Sequence, residues 1–167
     1  MPSHPAASHP SESFPQHQVR LGTSADAPRL DAWLQAAAPL PVPAARARRL
    51  VLEGLLAQSG QGVCLLAATS GGDIAACLPV ALLPSLALGG LVACATEWWA
   101  DAAAVPGVSD NRLEACLATL AEWCRAHGIR HILLAPGLAD DTPPAGFARH
   151  ANGLWHRNLA PAPKVLG

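Results

Sequence analysis

The chain has no tyrosine, two phenylalanines and one methionine in 167 residues. No phenol can therefore serve as a proton donor anywhere in it. It has no excess of either charge: 11 Lys and Arg stand against 12 Asp and Glu, a net charge of −1. Without a basic field to draw phosphate backbones, nucleic acid is not an expected partner. It has no CxxC pair. Its cysteines, Cys64, Cys77, Cys94, Cys116 and Cys124, are odd in number and each sits in an apolar run, the pattern of reduced thiols used as small hydrophobes. It has no HExxH string, and His127, His131, His150 and His156 lie near no acid cluster at ligand spacing, so no metal is expected. No internal repeat is visible.

Residues 1–18 carry His, Pro and Ser but neither a basic n-region nor an apolar h-region of signal-peptide length. They are expected to be a disordered tail, followed by one domain over 19–160 and a short flexible tail over 161–167, in a cytoplasmic protein. Residues 74–96 contain no charge, and that length would span a bilayer. Pro79, Pro84 and Gly89-Gly90 interrupt the stretch, and acids rather than basic residues flank it at Asp73 and Glu97. Two strands joined by a loop are the expectation, with no membrane segment. The same uncharged hairpin is a candidate homodimer face.

The order of elements follows from periodicity and punctuation. Residues 19–22 predict a strand, and Thr23 followed by Asp26 has capping-box spacing for a helix whose stripe is Leu30, Trp33, Leu34 and Ala37. Pro39, Pro41 and Pro43 end it. A second helix over 44–58 places Ala47, Leu50, Val51 and Leu55 on one face, with Arg49 and Glu53 paired at i, i+4. An apolar run over 62–69, turn residues over 70–73 and a strand over 74–80 predict an antiparallel hairpin. Another strand is expected over 86–99. A long helix from Asn111 to His127 carries Leu113, Cys116, Leu117, Leu120 and Cys124 on its buried face and stops at Gly128. A strand over 129–135 follows, then a short helix over 147–151 and a last strand over 154–159. The fold class is α/β of the α+β type: a mixed, mainly antiparallel sheet with helices on both faces and one parallel βαβ crossover.

This order, together with the strings VRLGTSADAPR, EWCRAHGIRHILL and FARHANGLW, resembles the GNAT superfamily of acyl-CoA-dependent N-acyltransferases over residues 19–159. The resemblance implies acetyl-CoA as cosubstrate, no metal, and a small-molecule or peptide primary amine as acceptor. It also implies fourth and fifth strands that splay apart, with the pyrophosphate at the start of the central helix, where unpaired amides and the helix dipole favour anions. The family's Arg/Gln-x-x-Gly-x-Gly/Ala loop should fall over 105–113. There VPGVSDNRL holds only Gly107 and Arg112, at a different spacing, and Asp110 and Glu114 bracket the helix start.

Carried onto this chain, the resemblance points to Trp99, Val108, Asn111, Arg112 and Leu113 around the cofactor and to Glu97, near the end of the fourth strand, as the base. The family's usual tyrosine acid has no counterpart; Phe147 occupies that neighbourhood, leaving His150 or water to protonate the thiolate. Trp98 and Trp99, being adjacent on a strand, should face opposite ways. Arg46, Arg48 and Arg49 form a charge run on the helix that borders the acceptor cleft in the family, either a solvated face or a recognition element for an acidic acceptor. An acetyltransferase and a catalytically inactive binding or scaffold domain of the same fold are both compatible with these residues.

Overall fold

The computed structural model describes residues 18–101, 108–138 and 142–161, and of 108–110 only the backbone. Most of both expected tails, and Gly107, lie outside these residues. Gln18, expected in the tail, opens strand β1 (Gln18–Leu21). The capping box at Thr23 and Asp26 is present on a single 3-10 turn, which runs directly into α1 (Ala27–Ala37). Pro28 at its start and the prolines after it bound α1 as the local chemistry requires. Helix α2 (Val42–Leu56) leads to β2 (Gly62–Ala68), β3 (Ile74–Ser85) and β4 (Gly90–Ala95). Then come the short β5 (Trp99–Ala100), α3 (Val108–Ala126), β6 (His131–Leu134), β7 (Ala148–Arg149) and β8 (Trp155–Asn158).

The strands form one sheet in the order β1-β2-β3-β4-β6-β8-β7, with β5 returning to β3. All pairs are antiparallel except β4 with β6, which the α3 crossover joins in parallel. The long uncharged stretch is thus the β3–β4 hairpin, and among the described residues no helix is long and apolar enough to cross a membrane. One face of the sheet packs on α3 through Leu113, Cys116, Leu117, Leu120 and Cys124, as the stripe predicts. Gly128 (φ 72°) ends that helix in the left-handed region. The opposite face packs on α1 and α2 through Leu30, Leu34, Leu52 and Leu56.

Three expectations are corrected. The buried face of α2 is turned by about one residue, roughly 100°: Leu50 and Val51 are 64% and 66% exposed, and Leu52 and Leu56 are buried instead. Apolar residues satisfy helical spacing on both stripes; the second packs with Leu30 and Leu34 of α1, and Arg48 then bonds the end of that helix. The strand expected over 86–99 begins only at Gly90, because 86–89 form the hairpin turn and β3 continues to Ser85 despite Pro79 and Pro84. Finally, the segment expected as a short helix over 147–151 is β7 and its turn, since Ala148 and Arg149 pair with His156 and Trp155.

Candidate active site

The parallel pairing of β4 with β6 stops at Ala95 opposite Leu134, with a last bond from the Ala135 amide to the Ala95 carbonyl (2.9 Å). On the β6 side the chain leaves the sheet at once in a 3-10 turn, Pro136–Leu138. On the β4 side the register against β3 slips by one residue between the Ala81–Cys94 pair and the Cys77–Trp99 pair, which is a β-bulge over 96–98 beside Pro79. The two strands therefore part. Among the described residues, Thr96 and Glu97 make no backbone–backbone hydrogen bond, so their peptide groups are left out of the ladders on either side.

The bulge also distributes the side chains. Trp98 packs toward the α3 core and Trp99 toward the α1 and α2 core, the alternation expected of adjacent strand residues. Glu97 is exposed, and its Oε2 accepts a hydrogen bond from Trp99 Nε1 at 3.0 Å. Together they form one wall of a cleft of about 390 Å³, closed on the other sides by the end of α1, by α2 and by Pro79. Leu40 and Val51, both exposed, stand at its rim and make its walls mainly apolar. A second hollow of about 510 Å³ lies beyond Trp99, against Trp33 and Trp98.

Of the three arginines on α2, only Arg48 lines the cleft. Its two terminal nitrogens donate to the Ala38 carbonyl (2.8 Å) and to Gln35 Oε1 (2.5 Å), both on the last turn of α1 or just beyond it. Its Nε is buried without a partner. Arg49 pairs with Glu53 at 2.9 Å as its spacing predicts, and Arg46 is exposed.

At the start of α3, Val108 is the first helical residue, Asn111 is exposed and Leu113 is buried in the core. Arg112 is only 8% exposed, and among the described residues its Nε and one terminal nitrogen have no hydrogen-bond partner. A buried, unpaired guanidinium is costly unless an anion meets it. Glu114, which the sequence places beside any such anion, instead accepts a bond from the Ala145 amide at 3.1 Å.

His150 lies at the β7–β8 turn, edge-on to His156 with ring centroids 5.2 Å apart, and His156 Nε2 lies 3.0 Å from His131 Nδ1. Burial, then the neighbouring His131 and His150, lower the His156 pKa. No hydrogen bond, ion pair or ring contact among the described residues joins His150 to Glu97. Among these residues no group of three or more metal-ligating side chains is assembled either. Phe147 is buried in the main core, with the Arg157 guanidinium 5.9 Å from its ring.

The sequence matches no family profile and no curated protein. Solved structures do match it. A GNAT family N-acetyltransferase of Escherichia coli, YhbS, in complex with CoA, superimposes over 91% of this chain and 86% of its own, with TM-score 0.61 and 16% identity. The chain has the GNAT fold. A GNAT family acetyltransferase of Brucella melitensis in complex with acetyl-CoA shares it over 89% and 91% of the two chains, at TM-score 0.55 and 18% identity. An integron cassette protein from the mobile metagenome of Cole Harbour salt marsh is similar over 87% and 92%, at TM-score 0.63 and 25% identity. Within this GNAT fold the parted strands, the cleft of Glu97 and the start of α3 are successive stations of one chain segment, from β4 through the crossover. Arg48 was visible in the sequence only as one of three adjacent arginines; its place on the cleft depends on which stripe of α2 is buried. The unpaired state of Arg112 had no sequence signal.

Proposed function

We propose that residues 19–160 form an acyl-CoA-dependent N-acetyltransferase unit that acetylates a primary amine in the cytoplasm. The observation that carries this reading is the parting of β4 from β6 at Ala95 and Leu134, which leaves Thr96 and Glu97 with unspent backbone groups, Glu97 being also a lining residue of the cleft. Backbone amides in such a gap can pair with the pantetheine arm and hold the thioester carbonyl, where fixed donors are worth most as charge develops.

The residues present fit the cosubstrate at two further points. Arg112, buried and short of partners at the first turn of α3, would meet the pyrophosphate where the helix amides also point. Glu114, being held by Ala145, leaves Arg112 less opposed there than the sequence suggests. Bound acetyl-CoA supplies an activated acyl carbon: a C–N bond forms to the amine as the C–S bond breaks, and the CoA thiol leaves with a proton.

Glu97 supplies the complementary half. An amine reaches the cleft as an ammonium and must lose one proton to become a nucleophile and a second to end as an amide. The Glu97 carboxylate, oriented by Trp99 and open to water, is placed to take them directly or through a water. His150 sits in the His131–His156 group, so protonation of the departing thiolate is assigned to solvent first and to His150 second. The absence of tyrosine favours the second reading, a domain that binds acyl-CoA without turnover.

Acetyl-CoA binding is the test that both readings share. Ligand at about a hundred times its Kd stabilises by roughly 2.7 kcal/mol. For a domain of this size that raises the thermal midpoint by about 5 to 10 °C. Release of CoA thiol in the presence of amines then separates an enzyme from a binding domain; no midpoint shift would sink both.

A further inference from the structure

Arg48 and Glu97 line the same cleft, one a cation and the other an anion. Two of the Arg48 N–H groups are spent on Ala38 and Gln35; among the described residues the rest of its five donors have no partner, and of these Nε is buried. Among the described residues no carboxylate stands within ion-pair distance of it. The two bonds to α1 fix the plane of the guanidinium, so little freedom would be lost in meeting a planar acid. The rest of the lining is mainly apolar, and Leu40 (37% exposed) and Val51 (66% exposed) leave apolar surface that an occupant would cover. The cleft thus offers one anion, one cation and an otherwise mainly hydrocarbon lining.

We propose that the amine acceptor carries a carboxylate: an amino acid or amino-acid-like molecule with an apolar body, its acid on Arg48 and its amine toward Glu97. This identification of the acceptor rests on the acetyltransferase reading, but its charge pattern belongs to the cleft alone. A bare amine would leave the half-buried Arg48 charge without an anion, and a polar amine such as a sugar would place hydroxyls against Leu40 and Val51. Both lose affinity for stated reasons.

Calorimetric titration of the full chain with matched pairs of compounds, in the presence and in the absence of CoA, tests this. The pairs are L-phenylalanine with 2-phenylethylamine, and 6-aminohexanoate with hexylamine, which differ by the carboxylate and, between pairs, by its distance from the amine. In at least one pair the carboxylated member should bind roughly tenfold to a hundredfold more tightly, the range a charge-assisted bond provides. Arg48→Gln should bring the two members of that pair within about threefold of each other. Equal binding, or tighter binding of the bare amine, with and without CoA, overturns the proposal. Because the comparison within the unaltered protein needs no variant, an Arg48→Gln chain that fails to fold does not spare it. Acetyl-CoA binding with no carboxylate preference leaves the acetyltransferase reading standing and removes this one. A carboxylate preference without acetyl-CoA binding does the reverse, and makes the amino acid a ligand instead of an acceptor.

Discussion

The indole Nε1 of Trp99 donates to the Glu97 carboxylate across a one-residue bulge, at 3.0 Å. The bulge is what permits it. In a regular strand, residues two apart share a face but stand about 6.6 Å apart along it, and the bulge shortens and twists that path. Glu97 is thereby held over the cleft although it is solvent-exposed.

Glu97→Gln should lower kcat/KM for the best amine by about a hundredfold or more, the usual contribution of a general base. The thermal midpoint should move by less than about 2 °C, because an exposed carboxylate contributes little to stability. Trp99→Phe keeps most of the packing and removes the donor, so it should produce a smaller loss of kcat/KM. A Glu97→Gln enzyme with unchanged turnover would exclude Glu97 as the base.

Arg112 predicts opposite effects on stability and on binding. Arg112→Met removes a buried cation that lacks partners and keeps its aliphatic stem. The free protein should be as stable as the parent or more so, while the midpoint rise with acetyl-CoA falls to less than about half. A destabilised variant with full acetyl-CoA response would show that Arg112 serves the fold alone.

Asp26 ties the first strand to the first helix. Its carboxylate accepts from Arg20 at 2.6 and 2.8 Å and from the Thr23 amide at 2.8 Å. The Arg20 bonds, ahead of the cost of burial, hold its pKa well below the usual carboxylate range. A depressed carboxylate stabilises the native state fully above its unfolded pKa, near 4, and loses that contribution as pH falls below it. Asp26→Asn should therefore cost about 1 to 2 kcal/mol at pH 7, given a lost cap and a half-exposed partner. The gap between the two melting curves should close progressively below about pH 4; a gap that persists there would argue for packing in place of charge.

The five cysteines are all buried and unpaired. Burial pushes the Cys116 and Cys124 thiols up to about 12 and raises Cys94, while Cys77 is raised by its sulfur neighbour Cys64 and by burial. Thiolate is the reactive form. A thiol reagent at pH 8 should accordingly label almost none of them in the native protein and all of them in denaturant. Fast labelling of even one equivalent would contradict their role as packing residues.

Much of the fold was legible because it is written in local chemistry. Thr23 and Asp26 form a capping box whatever lies around them, and Gly128 stops α3 because it can take a positive φ. The α3 stripe had one apolar face and so one way to pack. Where two answers satisfied the same local rule, the sequence could not choose. The α2 helix carries apolar residues on two stripes, and the site residues depend on that choice, since it puts Arg48 against the cleft and Val51 at its rim. Likewise, 147–151 could continue as helix or strand, and pairing with β8 decided it.

The residues themselves determined one mixed sheet and one parallel crossover, because propensity, capping and periodicity act within a few positions of the chain. The tertiary structure alone decided that β4 and β6 part after Ala95, that Arg112 is buried with no hydrogen-bond partner among the described residues, and that Arg48 and Glu97 line one mainly apolar cleft. These relations join segments dozens of residues apart, and only the packing of sheet against helices sets their distances.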